Sequence, residues 1–288
     1  MTPQQKPEKE KQPPRVSVVV VSHNRVDLLR ACLESIERSE GRSNLQIILV
    51  ENGSSDGSAQ LDAEFPNVQF IRLPKNFGLT KALNLGWRAA DAEYVLFLHD
   101  DTRVEPGTVL RLAEALDAHP EAAAVCPMLV DDSGQPAPQF GDLPPTGEWR
   151  AAAAPATGQP APAEPVAVEY ARGAALMVRV FFIRALRQID ERYGQFGSDA
   201  DLAAEIRRAS RKILLVPAER VWHHGASSST ALERADFLIG RAVFLGKYHG
   251  FGAGLKARLA SVFGPLAGLR LGELRNTLAG QKIDGTQS

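Results

Sequence analysis

Only two cysteines, Cys32 and Cys126, occur in 288 residues, and they stand far apart without a second pair. A disulfide framework and a thiolate zinc site are both excluded, and a reduced, cytoplasmic setting is the expectation. No uninterrupted apolar run is long enough to cross a bilayer, so any membrane role would be peripheral. The formal net charge is only −1, which gives no global sign of nucleic-acid binding. There is no GxGxxG turn opening a helix after the first strand and no GxxxxGKS/T loop, so the dinucleotide and P-loop fingerprints are both missing. Residues 1–15 are rich in Pro, Gln, Lys and Glu and hold no apolar h-region; they are expected to be disordered and to act neither as signal peptide nor as anchor.

What is present is an alternation of strand and helix patterns. Residues 16–21 are β-branched except for Ser17, and after Ser22-His23-Asn24 a segment at 26–39 places Leu28, Leu29, Cys32, Leu33 and Ile36 at helical spacing. A second strand at 45–50 runs into the turn-rich loop Glu51-Asn52-Gly53-Ser54-Ser55-Asp56-Gly57-Ser58. A third strand at 68–73 is followed by Asn76-Phe77-Gly78 and a helix at 79–90. This alternation predicts a doubly wound, mostly parallel α/β sheet flanked by helices, whose loops converge on one edge. The length suits one large domain with a tail, or two small domains.

The strand Tyr94-Val95-Leu96-Phe97-Leu98 ends in His99-Asp100-Asp101. Ligands collect beyond the carboxyl ends of such strands, and adjacent acids raise each other's pKa unless a cation or donors compensate. Two readings stay open: a divalent metal carrying a phosphorylated substrate, or acids that turn the chain and cap the next helix. Downstream come a helix at 108–118 and a strand at 123–130. The stretch 131–165 is Pro-, Ala- and Gly-rich, with Phe140 and Trp149 as isolated aromatics, and reads as a mobile insertion, either inert or a flap over an acceptor site. Arg172-Gly173-Ala174 precedes an apolar run. Asp199 stands where a helix to about 210 begins, the usual place of an N-cap. A strand at 213–217 and the cluster Trp222-His223-His224-Gly225 complete the unit 16–230. The remainder, 231–288, is a basic amphipathic helical tail that either packs on the domain or docks on an anionic membrane.

Taken in order, Ser22-His23-Asn24, Glu51-Asn52-Gly53, Asn76-Phe77-Gly78 with Asn84-Leu85-Gly86, His99-Asp100-Asp101, Arg172-Gly173-Ala174, Ser198-Asp199-Ala200-Asp201-Leu202 and His223-His224-Gly225 resemble family 2 glycosyltransferases of GT-A fold, closest to bacterial rhamnosyltransferase-like members. The resemblance covers about 16–228. It implies an inverting transfer from a UDP- or dTDP-sugar to a glycan or lipid-linked acceptor of the cell envelope, with Mn2+ or Mg2+ as cofactor. It places Ser22, Asn24, Glu51, Asn52, Asn76, Gly78, Asp100, Arg172 and Gly173 around the nucleotide sugar, Asp101 and His223 on the metal, and Asp199 as the base for the acceptor hydroxyl. Three positions depart from the family pattern. Glu51 replaces Asp, His99 replaces the first acid of the DXD element, and Ser198 replaces an acid, which should lower the proton affinity of Asp199 relative to typical relatives. The departures at His99 and Ser198 keep a second reading open, a nucleotide-sugar-binding protein impaired in catalysis.

Overall fold

The structure, a computed structural model, describes residues 13–151, 164–225 and 230–283. Residues 1–12 of the expected disordered start and 152–163 of the expected insertion lie outside the described residues. The chain runs β1 (Val16–Ser22), α1 (Val26–Glu37), β2 (Leu45–Glu51), β3 (Val68–Arg72), α2 (Leu79–Arg88), β4 (Tyr94–His99), β5 (Thr102–Val104), α3 (Thr108–Ala118) and β6 (Ala122–Val130). Then come β7 (Pro138–Gly141), β8 (Arg150–Ala151), β9 (Val166–Val168), β10 (Tyr170–Ala171), β11 (Ala175–Arg179), α4 (Val180–Leu186), α5 (Ser198–Arg208) and β12 (Lys212–His223). Three helices follow: α6 (Ala231–His249), α7 (Phe251–Ala267) and α8 (Leu271–Leu278).

Among the described residues one nine-stranded sheet has the order β3-β2-β1-β4-β11-β6-β12-β5, with β9 paired to β12. β1, β2, β3 and β4 are parallel, as expected of strands that alternate with helices. β11 breaks the pattern by running antiparallel to both β4 and β6. The valines of β1 explain why this strand is central. Val16, Val18 and Val20 pack into one core with Leu29, Leu33 and Ile36 of α1, while Val19 packs into a second core with Trp87, because successive side chains of a strand point to opposite faces. A run from Val16 to Val21 that is apolar but for Ser17, itself buried, suits burial on both sides. α2 closes on β1 at Gly86, where an added Cβ would meet Val19 Cγ1 at 2.3 Å.

Three sequence expectations change. The separate strand and Trp222-His223 cluster are one strand, β12, with a register shift between Val216 and Arg220. The helix expected at 201–210 begins at Ser198 with Gly197 as N-cap at φ 103°, so Asp199 lies inside the first turn and is not the cap. The stretch 131–165 carries secondary structure in its described part: β7 pairs with β8 and with β10, and buried Gln139 accepts from Leu129 N and donates to Pro127 O at 2.6 Å.

The C-terminal helices divide in two. α6 starts at a Thr230/Glu233 capping box and belongs to the core, with Phe244 buried beside α5 residues. Its Lys247 ammonium donates to Asp201 at 2.8 Å and Asp190 at 3.2 Å, which ties α6 to α5. α7 then lies across α6, with Gly254 against Gly246 so closely that a Cβ at Gly254 would meet Gly246 Cα at 2.7 Å.

Candidate active site

β4 ends at His99, and Asp100-Asp101 turn the chain directly into β5, which pairs antiparallel with the end of β12 in the register His223↔Thr102. That pairing carries His223 to the turn. Its Nε2 lies 3.4 Å from Asp101 Oδ1, and His99 Nδ1 lies 3.9 Å from the same oxygen. The three side chains can present one ligand atom each within 4.8 Å of one another. Asp101 Oδ2 accepts from Arg25 at 2.9 Å, but Oδ1 is buried with no hydrogen-bond partner. A buried carboxylate oxygen without a donor is costly, and here it faces two imidazoles. One oxygen and two nitrogens form a donor set that could hold a divalent first-row cation; of the two expected metals it fits Mn2+ better than Mg2+, which prefers oxygen ligands alone.

Electrostatics separates the paired acids. Burial pushes Asp100 up to about 6, opposed by the Ser22 hydroxyl and Arg25. Burial also works against the charge of Asp101, yet His223, His99 and Arg25 outweigh it and hold this carboxyl well below the usual range. Burial pulls His99 down to about 4, against the opposing pull of Asp101, so its ring is neutral and able to ligate at neutral pH.

The first two loops meet beside this corner. Ser22 Oγ donates to Asp100 Oδ2 at 2.8 Å. Asn24, at φ 54°, accepts from Ser55 N at 2.8 Å, and Glu51 accepts from Ser54 N at 2.6 Å. Asn52 is a buried clip: it donates to Asn76 Oδ1 at 3.0 Å and Gly78 O at 3.3 Å and accepts from Phe77 N at 2.8 Å. Gly53, at φ 74°, lets the loop pass Lys75, whose backbone a Cβ would meet at 2.3 Å. Asn84 has a packing task, bonding both N–H and C=O of Ile189 at 2.9 and 2.8 Å.

Asp199 lies on another wall. Tyr170 donates to its Oδ1 at 2.9 Å, Ala200 N to Oδ1 at 2.8 Å and Gly173 N to Oδ2 at 3.3 Å. Burial raises its pKa despite these donors and the charge of Arg172. The expectation from Ser198 concerned only a missing neighbouring charge; burial, which the sequence does not show, is the largest influence. A Cβ on Gly173 would meet Asp199 Cβ at 3.4 Å, so the small residue keeps that approach open. A cleft of about 470 Å³ runs from His99 past Tyr170, Arg172, Gly173 and Asp199 to Trp149 and Phe237. Trp149 packs against Tyr170 with ring centroids 5.0 Å apart and the planes tilted by 49°, and Arg172 lies over the same indole at 5.4 Å.

The structure thus gathers Asp101 with His223, Ser22 with Asp100, and Asp199 with Gly173 and Arg172. Glu51, Asn52, Asn24 and Ser22 are not among the residues lining the cleft. Sequence reading left Arg25, Tyr170 and the cleft-lining residues of α6 without a role, because each acts through a partner distant in the chain.

Residues 17–181 match Glycosyl transferase family 2. An N-acetylglucosaminyltransferase of Sinorhizobium fredii is 33% identical over 107 residues, 35% of this chain and 26% of the relative. The succinoglycan biosynthesis protein ExoO of Rhizobium meliloti is 32% identical over 107 residues, 36% of this chain and 30% of the relative. These alignments span about a quarter to a third of the length of the curated relatives. Among solved structures, GalNAc-T7 with UDP, GalNAc and Mn2+ superposes with a TM-score of 0.66 at 17% identity, over 82% of this chain and 48% of that one. Staphylococcus aureus TarS 1-349 in complex with UDP gives 0.56 at 16% identity, over 81% and 65%. The fold is GT-A-like, with a helical C-terminal region. With the family match extending over more than half of its length, this chain belongs to glycosyl transferase family 2.

Proposed function

We propose that the protein is a metal-dependent, inverting glycosyltransferase that moves a sugar from a UDP- or dTDP-sugar, dTDP-rhamnose among the candidate donors, to an exopolysaccharide, lipid-linked or other cell-envelope glycan. The observation that carries this reading is that a single cleft has His99 of the metal-competent group on one wall and Asp199 on another. The reading gains support from ExoO, a succinoglycan biosynthesis protein, and from structural neighbours that hold UDP, one of them with Mn2+.

In this reading Asp101, His223 and His99 hold the cation, which when bound supplies positive charge to the diphosphate. Ser22, Asn24, Glu51 and Asn52, with Asn76 and Gly78 behind them, form the base and ribose side, and Asp100 faces the ribose or sugar. Asp199 takes the proton from the acceptor hydroxyl, whose oxygen bonds to the anomeric carbon as the bond to the diphosphate breaks. One base and one displacement give inversion. Tyr170, Ala200 N and Gly173 N aim Asp199 and favour its ionised form against the burial that raises its pKa, and Arg172 with Trp149 offers a cationic, aromatic wall to the acceptor sugar. Catalysis takes place on the cytoplasmic side, where nucleotide sugars are available.

Turnover of UDP- and dTDP-sugars with Mn2+ tests the reading. Asp199→Asn should lower turnover by roughly 10²- to 10⁴-fold, the usual share of general-base catalysis, with donor affinity kept. Unchanged turnover would overturn the assignment of Asp199. Donor binding without turnover in the unaltered protein would instead favour the catalytically impaired binding protein, to which the His99 and Ser198 departures point.

A further inference from the structure

α7 is mounted with its apolar side outward. The residues it buries are Gly254, Ser261 and Pro265, whereas Leu255, Leu259, Phe263 and Leu266 recur on the opposite side and are exposed. An amphipathic helix on a globular domain normally does the reverse. The close approach of Gly254 to Gly246 fixes this orientation, because only a side-chain-free surface lets α7 sit so near α6. Phe251 begins the stripe at 83% exposed, and Leu269 and Leu271 extend it at 81% and 69%. A contiguous apolar face of this extent marks a surface that something covers.

Charge identifies the occupant. Residues 251–283 contain Lys256, Arg258, Arg270, Arg275 and Lys282 against one acid, Glu273, which is buried and paired with Arg270, while Arg258 and Lys282 donate to the carbonyls of Thr277 and Arg192. Lys256 and Arg275 are exposed beside the apolar residues. In a two-fold pairing of copies this positive face would meet itself, whereas an anionic headgroup layer complements it. None of the helices among the described residues is long and apolar enough to cross a membrane, which leaves a helix lying in the interface. The stripe also leads to the cleft: Leu269 and Leu271 flank Arg270, which lines the cleft together with Glu273.

We infer that α7 and the start of α8 dock the protein on an anionic lipid bilayer, with Phe251, Leu255, Leu259, Phe263, Leu269 and Leu271 entering the headgroup boundary and Lys256 and Arg275 pairing with lipid phosphates. Docking places the mouth of the cleft at the layer where the head of a lipid-linked acceptor would stand. That purpose rests on the proposed function, but the docking itself does not, and it is read without turnover.

The full chain is sedimented with vesicles of phosphatidylglycerol mixed with phosphatidylcholine and with vesicles of phosphatidylcholine alone. The unaltered protein should pellet with the anionic vesicles, less so at high salt. The triple variant Leu255→Glu, Leu259→Glu, Phe263→Glu should lose vesicle affinity on the order of tenfold or more, since burying one such side chain is worth about that much. Its melting temperature and its hydrolysis of nucleotide sugar in the absence of vesicles should be unchanged, because none of these side chains lines the cleft. Equal pelleting of triple variant and unaltered protein, or no pelleting at all, overturns the proposal. A concentration-dependent dimer that the triple variant abolishes overturns it in favour of a second copy on this face. Loss of donor turnover with vesicle binding intact would instead count against the proposed function alone.

Discussion

The hydroxyl of Tyr170, on β10, donates at 2.9 Å to Oδ1 of Asp199, on α5. The bond stabilises the charged carboxylate, in opposition to a burial that favours the neutral acid. Tyr170→Phe removes this support, so Asp199 should hold its proton to higher pH. If Asp199 is the base, the acidic limb of the kcat profile should move up by roughly one pH unit, the size expected for losing a hydrogen bond to a charged group. A drop in kcat with no displacement of the limb would mean that Tyr170 contributes packing and not proton affinity.

Asp101 Oδ1 has no donor, while Oδ2 is held by Arg25 at 2.9 Å. Mn2+ should therefore raise the melting temperature of the unaltered protein, by about 3 kcal/mol of stability at a hundredfold excess over Kd. Asp101→Asn and His223→Ala should abolish most of that shift, and free Mn2+ followed by electron paramagnetic resonance should confirm the lost binding. Equal Mn2+ binding by unaltered and altered proteins would place the cation elsewhere. Chelation should stop sugar transfer, and added Mn2+ should restore it.

Asp236 of α6 is fully buried and accepts from Gln195 N at 2.7 Å and Phe196 N at 3.1 Å. Burial raises it to about 6 from an ordinary 3.8. A group raised in the folded state adds stability that is fully present below its ordinary value and is lost as pH rises through the folded one. Melting temperature should thus fall as pH is raised from about 4 to 6, by an amount on the order of 2 kcal/mol for this group. Asp236→Asn should flatten that stretch of the curve. A slope unchanged in the variant would assign it to other acids.

Much of the frame was legible from local pattern. The helix expected at 108–118 is the helix observed, because an apolar repeat of 3.6 over three turns leaves little choice. β1, β2 and β4 likewise follow from runs of Val, Ile and Leu that only a strand buried on both faces would tolerate. The motif Asn84-Leu85-Gly86 was legible as a motif but not as a structural device: Gly86 seats α2 on Val19, and Asn84 fastens the chain at Ile189. The antiparallel insertion of β11 between β4 and β6 was not legible, since an apolar run carries no mark of its direction.

Sequence alone determined which residue types stand at each strand end, the order of the motifs and the family to which they belong. Tertiary structure decided which of them meet. His223 reaches Asp101 because β5 pairs with β12, and Tyr170 reaches Asp199 because a two-residue strand lies beside α5. Burial then raised Asp100 and Asp199 while His223, His99 and Arg25 held Asp101 down, effects that depend on what surrounds a carboxylate and not only on its neighbours in the chain. The C-terminal region shows the same division. Its composition announced an amphipathic, basic helix, but only the contact of Gly254 with Gly246 decided that the apolar side faces outward.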